Sequence, residues 1–149
     1  MDLISAMEIS ASGLSAQRTR LNIISQNLAN AQTTRTEAGG PYRRKITVFQ
    51  AEPFTSHLNA ASEGPDYKAG RDPRRGVLVS EVSDDPSDFR QVYDPNHPDA
   101  DQQGYVLYPN VNVVVEMANL INAQRSYEAN AAAVSASKNM ANKALELGR

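Results

Sequence analysis

Apolar residues recur every seven positions at both ends of the chain, and nowhere between. Near the N-terminus the row is Met7, Leu14, Leu21, Leu28, with Leu3, Ile4, Ala11 and Ile24 filling the adjacent half-turns. That spacing predicts an amphipathic helix over about residues 3–31, drawn narrow enough for a coiled-coil seam and ~40 Å long at 1.5 Å per residue. Gln17 and Arg18 interrupt the stripe. Near the C-terminus one row reads Val113, Leu120, Tyr127, Val134, Ala141, and the alternate row Met117, Gln124, Ala131, Lys138, Leu145. With Asn112 as N-cap and Gly148 as C-cap, this predicts a helix of about 36 residues, long for a globular protein. The run 129–137 is small on every face, which lets neighbouring helices approach from several directions.

Between these flanks the period shortens and turn signals crowd in. Segments 42–49, with Ile46 and Val48 on one face, and 76–82 read as strands; 89–93 and 105–108 read as shorter ones. Gly64-Pro65, Asp72-Pro73, Asp94-Pro95 and His97-Pro98 punctuate them. All eight prolines lie in 34–109. Because proline breaks helix interiors, this permits long helices in both flanks and argues against one in the middle. The predicted fold is α+β: long N- and C-terminal helices pairing as an α-helical coiled coil around a small β-rich insert. The divisions are an N-terminal coiled-coil helix (1–33), a loop-rich β insert (34–109) and a C-terminal helix (110–149) that packs with the first.

Composition narrows the function. With 149 residues there is room for one domain's core. Cysteine is absent, which excludes a disulfide scaffold, a thiolate zinc site and a cysteine nucleophile. The net charge is −2, so no global basic field for nucleic acid exists. No apolar run approaches the ~18 residues of a membrane span. The opening MDLISAMEIS lacks a basic n-region and an uninterrupted apolar core, so a cleaved signal peptide is not expected.

Three clusters invite a chemical reading. Asp94, Asn96, His97, Asp99 and Asp101, with Asp84, Asp85 and Asp88, could offer oxygens to a hard cation. The loop is not an EF-hand, and a proline-stiffened turn explains its aspartates equally. His57 and His97 are the only histidines, and no nucleophile-elbow, zincin or P-loop motif accompanies them. Arg43-Arg44-Lys45 and Arg71, Arg74, Arg75 could meet phosphate or an acidic neighbouring subunit. An amphipathic edge strand accounts for the first triplet as well. The apolar flanks carry the stronger implication: helices this long exceed what so small an insert can cover, and partner chains are the simplest cover.

At this point the chain resembles the bacterial flagellar rod and hook (axial) protein family. Asn27-Leu28-Ala29-Asn30, followed by Thr33, looks like the family's N-L-A-N-x-x-T signature, closing the first helix. Glu116-Met117, then Gln124-Arg125-Ser126-Tyr127 and Asn130, are similar to its second signature. Gly39-Gly40-Pro41-Tyr42-Arg43-Arg44 and the stretch 93–106, together with the short insert, resemble the proximal rod members. The resemblance implies a structural subunit and no enzyme, without cofactor, bound metal, nucleic acid or small-molecule substrate. It implies a seam of Met7, Leu14, Leu21, Ile24, Leu28, Val113, Met117, Leu120, Tyr127, Val134 and Leu145. Arg43, Arg44, Asp94, His97 and Asp99 are candidates for contact between subunits. Implied partners are other copies of the chain, other rod proteins, a basal-body adaptor near the membrane ring and the flagellar type III export apparatus. The implied location is the basal-body rod across the periplasm, with torque transmission for motility. Two other classes stay open from the residues alone: a soluble helical-hairpin adaptor, and a metal-dependent enzyme using the Asp94–Asp101 loop. A further expectation is that 1–33 and 112–149 are largely disordered in the free monomer and order on assembly.

Overall fold

A computed structural model describes residues 3–53 and 75–147. Helix α1 runs Leu3–Ala29, strand β1 Lys45–Pro53, β2 Arg75–Asp84, β3 Arg90–Tyr93, β4 Tyr105–Tyr108, and helix α2 Val113–Leu147. The expected order of helix, short strands and helix is thus present, and the class is α+β. β1 pairs with β2, and β3 with β4, in two separate two-stranded sheets. His57 and the Arg71, Arg74 cluster lie outside the described residues, as does the Gly148 cap.

The helix ends follow from local chemistry. Beyond α1 the amide of Asn30 still reaches the Gln26 carbonyl at 3.1 Å, while that of Ala31 shifts to Leu28 at 3.3 Å. Asn30 then holds the exit, its side chain donating to the Gln26 carbonyl and accepting from the Thr33 hydroxyl at 3.2 Å. These are two of the polar positions of the N-L-A-N-x-x-T motif, and their role is to end the helix. At the start of α2 the Asn112 side-chain oxygen accepts from the amides of Val114 and Val115 at 3.1 and 3.3 Å. It satisfies two of the helix's orphan donors, as an N-cap does.

The chain divides into two compact units. The first gathers the described parts of 1–19, 49–80 and 124–149; the second gathers 20–48 and 81–123. In the second unit β3 and β4 form an antiparallel hairpin with Val92 opposite Val106 and Tyr93 opposite Tyr105. Val106 is fully buried, while the two tyrosines lie edge to face with ring centroids 5.3 Å apart. Gly104 enters β4 with φ +81°, and a Cβ there would stand 2.9 Å from the Tyr93 ring. Both the backbone conformation and the space therefore demand glycine. Ile24, Ala31 and Ala123 complete the buried apolar set of this unit.

Among the described residues of the first unit the buried side chains are small. Ser5, Ala16 and Ser137 are buried, and Gly13 faces Asn130, whose amide nitrogen would lie 2.8 Å from an added Cβ. The Ser12 hydroxyl donates to the Ile9 carbonyl and accepts from the Val77 amide at 3.1 Å.

Candidate functional site

Among the described residues, an extensive polar junction lies in the second unit, where the end of α1, the start of β1 and the first turn of α2 meet. Asn27 and Glu116 are each only 1% exposed. The Asn27 amide nitrogen donates to the Lys45 carbonyl at 2.8 Å and to Glu116 Oε2 at 3.2 Å. Its oxygen accepts from the Lys45 amide at 2.9 Å and from the Tyr42 hydroxyl at 3.0 Å. Arg44 donates from Nε and Nη2 to Glu116 Oε1 at 3.0 and 2.7 Å, and from Nη1 to Asp85 Oδ2 at 2.9 Å. Asn110 accepts from the Arg44 amide and donates to the Asp85 and Ser87 carbonyls. A buried carboxylate is costly unless paired and hydrogen-bonded. Here both Glu116 oxygens have donors, and both polar atoms of the Asn27 amide are engaged.

The electrostatics follow from that wiring. Burial lifts the Tyr42 hydroxyl above the usual tyrosine range, and the nearby charges of Asp84 and Glu116 add to it. Burial works against the charge of Arg44, but its bonds to Glu116 and Asp85 outweigh this and hold it above its ordinary value. The Ser87 hydroxyl and backbone amide, then Arg44, hold Asp85 down at about 2, against an ordinary 3.8. A carboxylate depressed in the folded state stabilises fully above its unfolded value and loses that contribution as pH falls through its folded one. The urea midpoint should therefore drop between about pH 4 and pH 2. In Asp85→Asn the midpoint should already be lower at neutral pH and its acid limb flatter. An unchanged acid limb in that variant would show that Asp85 carries none of the effect.

The sequence-derived residues divide in an informative way. Ile24 is buried; Met7, Leu14, Leu21, Leu28, Leu120 and Val134 are half-buried. Val113, Met117, Tyr127 and Leu145 are exposed. Val113 and Met117, with Val114, Val115 and Ile121, leave the start of α2 strongly apolar where it is exposed, Val114 being 76% exposed. The row that α2 does bury is Glu116, Ala123 and Ser137, with Asn130 half-buried in step with them. Of the signature positions, Asn27 and Glu116 meet in the junction, Asn30 and Thr33 close α1, and Asn130 faces Gly13. Ala29, Gln124 and Arg125 are exposed, and Gln124 donates to Glu128 one turn on at 3.0 Å.

The loop candidates are engaged within the chain. Arg43 donates to the Asp85 and Ser87 carbonyls and lies 4.3 Å over the Phe89 ring. Asp94 accepts from the Asn96 amide, and His97 Nδ1 accepts from the Asp99 amide at 3.1 Å. Asp99 accepts from the Thr34 hydroxyl at 2.8 Å and stands 3.8 Å from Arg35. Asp101 accepts from the amides of Gln103 and Tyr105. These carboxylates shape turns and tie the loop to residues 34–35. Among the described residues, no group of three or more His, Cys, Asp or Glu converges as a metal site. Nor is any described helix long and apolar enough to cross a membrane.

Sequence reasoning did not anticipate that Arg44 and Glu116 pair, nor that Tyr42, Asp85, Ser87 and Asn110 join them. A signal was present: Asn27 stands three residues after the seam residue Ile24, and Glu116 is set among valines and Met117. A polar residue placed inside an apolar stripe needs a partner.

Comparison with known proteins agrees with this division into two signature regions. The family profile described as flagella basal body rod protein matches residues 7–35. That described as flagellar basal body rod FlgEFG protein C-terminal matches 102–147. The flagellar basal-body rod protein FlgC of Bacillus subtilis is 46% identical, covering 100% of both chains. Its counterpart in Borreliella burgdorferi is 40% identical over 99% of this chain and 98% of that one. That of Escherichia coli O6:H1 is 41% identical over the full length of both. With identity of this order running from end to end, the chain belongs to the FlgC family of flagellar basal-body rod proteins.

Proposed function

We propose that the chain is a structural subunit of the proximal rod of the flagellar basal body, which adds to other copies of itself and to other rod proteins around an export channel. The observation that carries this reading is the exposed apolar start of α2. Val113, Val114, Val115, Met117 and Ile121 are all at least 42% exposed on one short stretch of a helix. A lone chain gains nothing by displaying them; a chain covered by neighbours buries them, at about 25 cal/mol for each Å² removed from water.

In this reading the terminal helices 1–33 and 110–149 pair as the inner coiled-coil layer and 34–109 forms an outer layer. Contact between copies is heterologous, head to tail, because such contacts propagate an open helical array. Many parallel seams then transmit torque, and no active site is needed. An adaptor near the membrane ring and the type III export apparatus are the remaining partners, with the rod across the periplasm as the location. The polar network joining Asn27, Arg44 and Glu116 fixes where both helices leave the insert and so sets their register.

The test is replacement of the native gene by Leu21→Asp or Leu120→Asp variants. Both should abolish swimming and leave basal bodies without a completed rod. Normal motility in either would defeat the proposal. A metal-dependent enzyme would instead lose activity with chelator, and a hairpin adaptor would bind one partner without polymerising.

A further inference from the structure

We propose that the exposed face of the β3–β4 hairpin is a docking cleft for the arginine-rich stretch 68–75 of a second copy, so that neighbouring inserts join one to the next. The proposal rests on the rod reading, which puts both surfaces in 34–109, and deepens it by naming a contact outside the long helices.

The hairpin has two faces because side chains alternate along a strand. One face carries Val92 and Val106, and Val106 is fully buried. The other carries the cross-strand pairs Gln91–Leu107 and Tyr93–Tyr105. On it Tyr93 is 64% exposed, Tyr105 43% and Leu107 42%. Large apolar side chains gathered on one exposed face mark a contact surface. Gln91, Tyr105 and Leu107 line a cavity of about 470 Å³ together with Pro41 and Pro98. Gly39 and Gly40 line it too, and an added Cβ at either would meet nothing within 4 Å, so that side is open to an incoming chain. Asp99 holds the lining together, accepting from the Thr34 hydroxyl at 2.8 Å and standing 3.8 Å from Arg35. The cleft is therefore built within the single chain.

Charge selects the occupant. The stretch 93–104 carries Asp94, Asp99 and Asp101 and no lysine or arginine. Asp101 is exposed, and its bonds from the Gln103 and Tyr105 amides both end on one oxygen, Oδ1. Arg35 is the one cation lining the cleft, and it offsets part of this charge. Tyrosine rings beside carboxylates suit arginine, whose planar cation stacks on a ring and pairs with a carboxylate. The same unit already seats two of its own arginines on rings, Arg43 at 4.3 Å over Phe89 and Arg90 at 5.4 Å over Tyr108. Residues 68–75 hold Lys68, Arg71, Arg74 and Arg75 against Asp72 alone, and no other stretch of eight residues holds four cations. The other basic cluster is committed inside its own chain: Arg43 bonds the Asp85 and Ser87 carbonyls, and Arg44 bonds Glu116 and Asp85. Cleft and basic stretch are different patches, so a contact between them in two copies is heterologous and repeats from copy to copy.

The chain has no cysteine, so introduced cysteines report cleanly. Two variants, Gln103→Cys beside the cleft and Ala69→Cys beside Lys68, are expressed together in place of the native gene. Isolated basal bodies are then treated with a short bismaleimide. The pair should give a covalent dimer in higher yield than either variant alone. Adding Asp101→Asn, which keeps an oxygen for the Gln103 and Tyr105 amides, should cut that yield about two- to fivefold, as for the loss of one exposed charge pair. Adding Arg35→Gln should raise it. Basal bodies that contain both variants and give no dimer would overturn the proposal and leave the rod reading standing. An undiminished yield with Asp101→Asn would overturn it too, as would a product joining Gln103→Cys to a chain of another mass. Absence of the chain from basal bodies would overturn the rod reading, and this contact with it.

Discussion

Replacing Glu116 with alanine should lower the stability of the chain by about 3–5 kcal/mol, the range for breaking a buried ion pair by removing one partner. Most of that cost is not the lost attraction. It is the guanidinium of Arg44 left without its main counter-charge, and the Asn27 amide left with one acceptor instead of two. Urea unfolding followed by tyrosine fluorescence checks it, since the chain has no tryptophan and Tyr42 reports from the junction itself. A loss of this size is a large share of the ~5–15 kcal/mol that holds a typical domain. Glu116→Gln keeps an acceptor for Asn27 and should fall between alanine and the native chain. A drop below about 1 kcal/mol in the alanine variant would mean that the pair is solvated and the junction is not a lock.

The double replacement separates pairing from packing. Arg44→Met with Glu116→Leu removes both charges and leaves Asn27 its bonds to Lys45. Its cost should be smaller than the sum of the two single costs, because neither charge is then stranded. Asp85 would lose its Arg44 partner in that variant but keep both bonds from Ser87.

How legible this molecule was depends on which force wrote each feature. Proline placement and heptad spacing marked both helices to within a few residues, because chain stereochemistry and apolar periodicity act locally. The pairing of Arg44 with Glu116 spans 72 positions, and nothing local announces it. The apolar rows divide between covered and exposed positions in the single chain. Leu120, Val134 and Ala141 are half-buried, while Val113 and Tyr127 of the same row are exposed. The row α2 buries in the single chain is Glu116, Ala123 and Ser137, three positions further on. Periodicity reports every surface that selection keeps apolar, whether it is covered by the same chain or by another. A helix that meets its own chain through small and polar residues, and water through valine and methionine, has its largest apolar demand unmet within the monomer.

That unmet demand is most sharply tested at Val114. Val114→Asp should abolish incorporation into rods while leaving the subunit as stable as before, or slightly more so. The position is 76% exposed, so the substitution empties no core. It also lies in the first turn of α2, just after the Asn112 cap, where a carboxylate interacts favourably with the unpaired amides by about 0.3–1 kcal/mol. The usual ambiguity of a charge placed on a helix is thereby removed, since a loss of assembly cannot be blamed on a weakened helix. Ile121→Asp, two turns on and 50% exposed, lacks that compensation but should behave alike in assembly. Leu120→Asp differs in kind: the side chain is half-buried, so both stability and assembly should fall. The measurements are the urea midpoint of each purified chain and the presence of rods in basal bodies from cells that carry it. Rods formed normally by Val114→Asp and Ile121→Asp would mean that the exposed apolar start of α2 faces solvent in the assembly, and the contact would have to be sought on α1. An unchanged midpoint with no rods would place the contact between subunits on the exposed residues Val114 and Ile121 of α2.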